Sequence, residues 1–178
     1  MLNTQMYGYS YPFGKAEIAD FLLPTLKPNA SILDIGAGSG IYREILGYNF
    51  NWSAVELWPA TAEYLQNKYN KVYNIDMRDF IYPQNYDLII FGDVLEHFTV
   101  KDAQNLLEIA EKHSHAILIA VPFELEQEVM YGNIGEKHLQ PDLTPEIFAI
   151  RYPKFQLIHC VTQNHKPLYG YYYFSKEE

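Results

Sequence analysis

The stretch that most constrains the fold is a glycine-rich turn between an apolar strand and a helix. Residues 31–41 read Ser-Ile-Leu-Asp-Ile-Gly-Ala-Gly-Ser-Gly-Ile. Glycine adopts backbone dihedrals that other residues avoid, and it leaves no side chain between the loop and a ligand. A nucleotide-like molecule can therefore lie directly on the main chain at this turn. The residues that we assign to this site are Asp34, Gly36, Ala37, Gly38 and Gly40.

The spacing of these glycines argues against a nicotinamide cofactor. The dinucleotide fingerprint has the pattern G-x-G-x-x-G. Its third glycine would fall at position 41, where this chain has Ile41. A dehydrogenase is therefore disfavoured, although the strand, turn and helix are of the nucleotide-binding kind.

Short apolar runs alternate with helical patterns along the chain, which is typical of a parallel sheet flanked by helices. The predicted strands are Ser31–Ile35, Trp52–Glu56, Lys71–Ile75, Tyr86–Phe91, Ala116–Val121, Phe155–Val161 and Leu168–Phe174. The predicted helices are Lys15–Leu23, Ile41–Leu46, Pro59–Tyr69, Val100–His113 and Pro145–Arg151. Thr99 and Thr144 precede the last two helices, where a hydroxyl can cap the first turn. The last two strands are close enough in sequence for a hairpin, so the pattern predicts an α/β fold with an antiparallel edge.

Length and charge bound the possible classes of function. At 178 residues the chain has the size of one domain, and we expect residues 1–178 to form a single unit. The net charge is −9, and no Lys/Arg cluster offsets it, so nucleic acid is disfavoured as a partner. No apolar run reaches membrane-spanning length. We therefore expect a cytoplasmic protein that does not contact a membrane.

The glycine turn and a second motif point to one protein family. The turn has the pattern Asp34-x-Gly36-x-Gly38-x-Gly40, and residues 86–98 read Tyr-Asp-Leu-Ile-Ile-Phe-Gly-Asp-Val-Leu-Glu-His-Phe. They resemble motif I and motif IV of the class I S-adenosylmethionine (SAM)-dependent methyltransferases, in the small-molecule branch of that family. The resemblance covers residues 31–121. It implies a seven-stranded, mostly parallel Rossmann-like sheet with helices on both faces, SAM as cofactor and S-adenosylhomocysteine (SAH) as product.

Acidic residues stand at the ends of successive predicted strands, where open α/β sheets bind ligands. Glu56 ends the second strand, 22 residues after the acid of the glycine turn, and is placed with Leu57 to meet the ribose. Asp76 follows the third strand and matches the family position that accepts from the adenine amino group, with the Met77 N–H beside the ring. Asp93 ends the motif IV strand. We assign all five residues to the cofactor site.

A possible metal site follows in the same motif. Asp93, Glu96 and His97 are similar to an acid-x-x-Glu-His arrangement with which some SAM-dependent O-methyltransferases hold a divalent cation over the acceptor hydroxyl, and His138 could add a ligand. Those relatives begin the motif with Glu, whereas the shorter Asp93 side chain reaches less far. We therefore expect no metal, so that the Glu-His pair only opens a turn beside the cofactor.

Histidine is the residue best suited to take a proton near neutral pH. His138 is our first candidate for a catalytic base, and His97 is the second. His138 lies within residues 122–143, a segment without clear periodicity that is longer than a structural connection needs. The segment follows the fifth strand, so we expect it to be a loop on the acceptor side of the site.

An aromatic run precedes the first predicted helix. It contains Tyr7, Tyr9 and Tyr11. In the family that the motifs resemble, the N-terminal segment often folds over the cofactor, so we expect residues 1–30 to cover the site. Tyrosine ring faces would then attract the sulfonium cation. Alternating tyrosines also describe an edge strand or a packing arm.

The sequence leaves two functions open. The first is a SAM-dependent methyltransferase that acts on a small molecule, through a hydroxyl. Residues 132–139 and 143–146 are similar to those of bacterial methyltransferases, some of which are thought to act on sugars or surface-polysaccharide precursors. The second function is a catalytically silent module that binds SAM or SAH within a complex. Either protein would be a monomer or a homodimer.

Overall fold

The computed structural model describes residues 12–130 and 132–176, and the predicted cover formed by Tyr7, Tyr9 and Tyr11 lies outside these ranges. The strands of this part are β1 Ser31–Ile35, β2 Asn51–Glu56, β3 Lys71–Asn74, β4 Tyr86–Gly92, β5 Ser114–Pro122, β6 Gln156–Gln163 and β7 Lys166–Ser175. They form one sheet in the order β3-β2-β1-β4-β5-β7-β6. All seven strands lie where the apolar runs predicted them, with ends that differ by at most two residues.

The α-helices are α1 Lys15–Leu22, α2 Ile41–Leu46, α3 Pro59–Leu65, α4 Val100–Lys112 and α5 Pro145–Arg151. Short 3-10 turns lie at Leu23–Thr25, Met77–Asp79, Leu95–His97 and Ile134–Glu136. The predicted caps of α4 and α5 are confirmed, because Thr99 accepts from the Asp102 N–H and Thr144 accepts from the Ile147 N–H. No helix in the two described ranges has both the length and the apolar character of a membrane span.

The sheet topology confirms the predicted fold class. Strands β1 to β5 pair in parallel, and β7 lies antiparallel between β5 and β6. The chain runs outward from β1 to β3 and then returns to add β4 beside β1. The carboxyl ends of β1 and β4 therefore flank the point where the strand order reverses, which is where open α/β sheets bind ligands.

Each face of the sheet is covered by its own set of helices. One face, with Leu33 and Phe91 among its buried residues, packs against α4 and α5. The other face, with Ile32 and Ile90, packs against α1, α2 and α3. Successive strand residues thus point to opposite cores, and the central strands are buried on both sides. This double burial is why these strands are nearly continuous apolar runs in the sequence.

Helix α3 is shorter than predicted. It ends at Leu65, and residues 66–68 form a turn in place of the last predicted helical turn. The Tyr69 N–H still bonds to the Leu65 carbonyl at 2.9 Å, but the Tyr69 side chain packs edge-on against Trp52 and its hydroxyl bonds to Asp34. These long-range contacts of Tyr69 outweigh the helical pattern at the end of α3.

The long segment between β5 and α5 is irregular, as predicted, and it is fastened to the turn that follows β4. The Leu139 N–H donates to the Glu96 carbonyl at 2.7 Å, and the buried Gln140 amide donates to the carbonyls of Leu95 and Phe98. Among its described residues, Ile134–Glu136 form a short 3-10 turn. The segment therefore lies at the same edge of the sheet as the end of β4.

Candidate active site

The glycine turn after β1 requires glycine for its backbone geometry. Gly36, Gly38 and Gly40 have φ values of 63°, 52° and 81°, in the left-handed region that disfavours side chains. A Cβ atom on Gly36 would lie 2.5 Å from the Val94 side chain, which follows β4. The turn is therefore packed closely against the start of the loop after β4.

Glu56 connects the end of β2 to the glycine turn. Its carboxylate accepts from the Gly38 N–H at 3.1 Å and from the Trp58 N–H at 2.9 Å. Burial raises the pKa of Glu56, and these two hydrogen bonds oppose the rise. Each carboxylate oxygen can accept more than one hydrogen bond. Glu56 is thus fixed in place with acceptor capacity left for a ligand, and the next residue, Leu57, is exposed.

Asp34 is fully buried, and it supports the turn rather than standing at its surface. Its carboxylate accepts from the Tyr69 hydroxyl at 2.6 Å. Burial raises the pKa of Asp34 to about 7, although the Tyr69 hydrogen bond and the Lys15 charge oppose the rise. Ala37 of the same turn is also buried. The direct contact of Asp34 with a cofactor stays a prediction.

Asp76 begins a 3-10 turn with Met77. It accepts from the Arg78 N–H at 2.9 Å and pairs with the Arg78 guanidinium. Hydrogen bonds from Arg78 hold the pKa of Asp76 below its usual value. The residue stands just beyond β3, as the sequence predicted, but its carboxylate already has a cationic partner. Its role toward adenine stays a prediction, as does that of Met77.

Asp93 follows β4 in an unusual backbone conformation, with a φ of 56°. Its N–H donates to the Ala120 carbonyl at 2.9 Å, and its carboxylate accepts from the Tyr169 hydroxyl at 2.5 Å. Tyr169 lies on β7, 76 residues further along the chain. The acid of motif IV is therefore oriented by a strand from the other end of the domain.

Glu96, His97 and His138 come together beside Asp93. One ligand atom from each of the three lies within 4.8 Å of the others, and the two imidazole rings have centroids 4.8 Å apart. Neither carboxylate oxygen of the buried Glu96 has a hydrogen-bond partner among the described residues. Burial, and then the charge of Asp93, raises the pKa of Glu96 well above its usual value. The sequence named these residues as candidates, and the fold brings them to one place.

The two histidines are held by backbone carbonyls. His138 Nδ1 lies 2.8 Å from the Leu125 carbonyl, and His97 Nδ1 lies 3.3 Å from the Lys137 carbonyl. A carbonyl oxygen only accepts, so we assign the proton to Nδ1 in both rings. Burial, together with the charge of His138, lowers the pKa of His97 to about 4. With the proton on Nδ1, the lone pair of an unprotonated imidazole lies on Nε2.

Several residues that shape the site were missed by the sequence analysis. They are Lys15, Tyr42, Tyr69, Tyr169 and Gln140. One signal was available for Lys15, because it shares the helical face of Ile18, Ala19 and Leu22, all of which are buried. Tyr69 and Tyr169 act through contacts with residues far away in the sequence, which no local pattern reveals.

The family of this chain follows from a sequence comparison. A family model described as a methyltransferase domain matches residues 12–161. This match spans most of the chain, so the chain belongs to that family of methyltransferase domains and is an enzyme of the methyltransferase class. The resemblance drawn from the two motifs is confirmed. No curated protein matches the sequence.

Solved structures, methyltransferases among them, share the fold at low sequence identity. An S-adenosylmethionine-dependent methyltransferase from Clostridium acetobutylicum ATCC 824 is similar with a TM-score of 0.67 and 11% identity, over 93% of this chain and 92% of that one. The N-terminal domain of EvdMO1, in the presence of SAH and D-fucose, has a TM-score of 0.68 and 13% identity, over 98% and 93%. The sugar N-methyltransferase KedS8 from Streptoalloteichus sp ATCC 53650 has a TM-score of 0.63 and 14% identity, over 93% and 88%.

Proposed function

We propose that this protein transfers a methyl group from SAM to a hydroxyl of a small molecule. The observation that carries the proposal is the hydrogen bond from the Gly38 N–H to Glu56, because it sets a buried carboxylate beside a glycine-rich turn. Both groups lie at the carboxyl edge of the sheet near the reversal of strand order. Family membership supplies the reaction class.

The described residues fit SAM. The glycine turn exposes main chain to a ligand, and it requires glycine at position 36 because a Cβ there would clash with Val94. Glu56 would accept from the ribose hydroxyls, and Asp76 with Met77 would meet the adenine. The structural neighbour EvdMO1 was solved in the presence of SAH, which supports the same cofactor here.

When bound, SAM supplies a methyl group that its sulfonium already activates. The protein then has to position the acceptor, exclude water and take a proton from the hydroxyl. His138 is buried, and the Leu125 carbonyl fixes its ring so that Nε2 holds the lone pair. We assign the proton transfer to His138 Nε2. His97 is a poor base near neutral pH, because burial lowers its pKa to about 4.

A sugar is the acceptor class that we favour. EvdMO1 was solved in the presence of D-fucose, and KedS8 is a sugar N-methyltransferase. A net charge of −9 disfavours phosphate-rich polymers as acceptors. The segment that carries His138 is anchored beside Asp93, so it would form a wall of the acceptor pocket.

The same cluster also favours a second arrangement, in which a divalent cation orients the acceptor. Two imidazoles and a carboxylate are good ligands for Mn²⁺, Fe²⁺ or Zn²⁺, and the oxygens of Glu96 have no partner among residues 12–130 and 132–176. Asp93 is engaged by Tyr169, which leaves three ligands in place of four. The sequence-based expectation of no metal stays a prediction.

Chelation separates these two arrangements. If His138 acts alone as the base, methyl transfer should be unchanged after treatment with EDTA and gel filtration. Complete loss of transfer, with recovery on addition of Mn²⁺ or Mg²⁺, would overturn the metal-free arrangement. SAH affinity, measured by calorimetry before and after chelation, is the control for damage to the fold.

Calorimetry with SAH tests the cofactor part of the proposal. We expect a dissociation constant in the micromolar range, or about −8 kcal/mol. NADH at the same concentration should give no heat of binding, because the glycine spacing is wrong for it. Absence of SAH binding would refute the proposed function, and binding without transfer to any acceptor would favour the silent module.

A further inference from the structure

The side chain of Gln140 is buried, with 2% of its surface exposed, and it lies two residues after the proposed base. Its amide nitrogen donates to the Leu95 carbonyl at 2.9 Å and to the Phe98 carbonyl at 3.2 Å. Its amide oxygen accepts from the Tyr152 hydroxyl at 2.9 Å and from the Arg151 guanidinium at 3.3 Å. A carboxamide has two N–H donors and an oxygen with two lone pairs, so these four partners satisfy it completely.

The four partners of Gln140 come from two different parts of the fold. In the turn after β4, Leu95 and Phe98 stand on either side of Glu96 and His97 in the sequence. The other two partners lie at the end of α5. Gln140 therefore joins three parts of the molecule, which are the end of β4, the loop that carries the proposed base, and α5.

The end of α5 is itself held on several sides. Arg151 pairs with Asp142 through two hydrogen bonds, at 2.9 and 2.6 Å. The Tyr152 ring is buried and packs against Phe148, with ring centroids 4.7 Å apart. Gln104 of α4 donates to the Arg151 carbonyl at 3.0 Å. Because polar groups that are buried and fully hydrogen-bonded favour one arrangement, α5 is a fixed support for this amide.

On the other side of the proposed base, most hydrogen bonds of the described residues in 125–138 join the loop to itself. The Leu125 carbonyl lies 2.8 Å from His138 Nδ1, and the His138 N–H donates to the Gln127 carbonyl at 2.9 Å. The Gln127 amide donates in turn to the Glu136 carbonyl at 2.6 Å. These bonds hold the shape of the loop, but they do not set its distance from the end of β4.

We propose that Gln140 is a positioning residue, which sets the place of His138 Nε2 relative to the acceptor hydroxyl. The proposal rests on the proposed function, because it requires His138 to be the base. A base must lie within about 2.6–3.2 Å of the atom whose proton it takes, and an error of about 1 Å can lower a rate about 10²-fold. A base on a loop therefore needs support from hydrogen-bonded neighbours. Gln140 supplies this support, because it is bonded on one side to the turn after β4 and on the other to α5.

A double-mutant cycle tests whether Gln140 acts through His138. Gln140→Met keeps the approximate length of the side chain and removes its four hydrogen bonds, while the backbone N–H groups of residues 139 and 140 still bond to the Glu96 carbonyl. Transfer of labelled methyl is measured with the best acceptor from a panel of hexoses that includes D-fucose. In the wild-type background kcat should fall by roughly 10- to 100-fold, while SAH affinity and the acceptor KM stay within about threefold. In the His138→Ala background the same substitution should change kcat by less than about twofold, because the group that it positions is gone.

Two further variants complete the design. Gln104→Met, the same substitution at an exposed glutamine that bonds to α5, is the matched control and should keep kcat within about twofold. Tyr152→Phe keeps the packed ring and removes one hydrogen bond to the Gln140 oxygen, so kcat should fall by roughly two- to fivefold, and only when His138 is present. Circular dichroism checks that each variant is folded, and Tyr152→Phe is the decisive variant if Gln140→Met does not fold.

Three results would overturn the inference. Unchanged kcat in the decisive variant would show that the amide does not position the base. An equal fall of kcat in the wild-type and His138→Ala backgrounds would show that Gln140 acts only on the fold, and weaker SAH binding in Gln140→Met would place its effect on the cofactor. If the wild-type protein transfers no label to any sugar, or if His138→Ala keeps the full rate, the proposed function or its base fails, which is a different result from these three.

Discussion

Glu56 is the residue on which most of the proposed cofactor site depends. It is buried at the end of β2, and both of its carboxylate oxygens accept backbone N–H groups. Burial of a carboxylate costs free energy unless it is hydrogen-bonded. The two backbone N–H groups fix the orientation in which Glu56 would accept hydrogen bonds from two neighbouring hydroxyls. The sequence located it by its place after an apolar strand. The hydrogen bond to Gly38 could not be predicted, because it depends on the path of the glycine turn.

Substitution of Glu56 tests this role. Glu56→Ala should lower SAH affinity at least tenfold in calorimetry, since a hydrogen bond to a charged group contributes about 1.5–3 kcal/mol. Glu56→Gln keeps one accepting oxygen and should lose less. Unchanged affinity in Glu56→Ala would remove this residue from the ribose site. Glu63→Ala, at an exposed acid of the neighbouring helix, is the control.

The two histidines make separable predictions. His138→Ala should reduce the rate of methyl transfer by roughly 10²-fold, while SAH affinity stays within about twofold, because the ring acts on the acceptor and not on the cofactor. His97→Ala should have a smaller effect. His115→Ala, at an exposed histidine of β5, is the control. Full turnover by His138→Ala would exclude it as the base, and loss of SAH binding would place its loop on the cofactor.

At the scale of elements, the glycine turn is held between β1 and the residues after β4. Parallel strands that are buried on both faces are apolar runs in the sequence, so the positions of β1 and β4 could be predicted closely. It also predicted the glycines, because their pattern is local. It did not predict that Gly36 packs on Val94, since that contact joins two loops through the pairing of β1 with β4.

The packing of Gly36 can be measured by thermodynamic coupling. Gly36→Ala places a side chain at a positive φ and adds a steric clash. It should lower the free energy of unfolding by more than the penalty of about 1–2 kcal/mol expected from the backbone alone. Gly47→Ala is the matched control, because Gly47 also has a positive φ but open space around its Cβ. Val94→Ala should recover part of the loss in the Gly36→Ala background. Equal losses for Gly36→Ala and Gly47→Ala in urea unfolding would contradict the clash.

At the scale of the whole molecule, residues from distant parts of the chain meet around the ends of β1 and β4. Asp34 accepts a hydrogen bond from Tyr69, Asp93 accepts one from Tyr169, and the charges of both acids act on Lys15 of α1. Propensity and periodicity describe single elements, so they predict the strands of the sheet but not these long-range contacts between side chains. This is why the fold was predicted nearly in full, whereas Lys15, Tyr42, Tyr69, Tyr169 and Gln140 were not recognised as residues around the site.

The burial of Asp34 predicts how stability depends on pH. Its pKa is about 7 in the folded protein and near 4 when unfolded, so the folded state favours the protonated form. A group whose pKa is raised in the folded state contributes to the free energy of unfolding. This contribution is fully present below the pKa of the unfolded state and is lost as pH rises through the pKa of the folded state. Between pH 5 and 8, wild-type stability relative to Asp34→Asn should therefore fall by roughly 2–3 kcal/mol.

Urea unfolding of both proteins at the two pH values gives this difference, and the comparison cancels groups that titrate elsewhere. Asp87→Asn is a useful second reference. Asp87 is partly exposed, and the hydrogen bonds from Ser31 help to keep its pKa below the usual value, so the relative stability should not fall between pH 5 and 8. If the wild-type protein and Asp34→Asn differ in free energy of unfolding by the same amount at both pH values, the raised pKa of Asp34 is contradicted.

The most direct measurement of the central claim is transfer of labelled methyl from SAM. The protein is incubated with methyl-labelled SAM and a panel of sugars and other hydroxylated metabolites, and the label is followed into the small-molecule fraction. We predict label in at least one hydroxylated acceptor, with transfer that is saturable and reduced in Glu56→Ala and His138→Ala. SAH that binds while no label leaves SAM for any acceptor would contradict the account, because the protein would then bind the cofactor without using it.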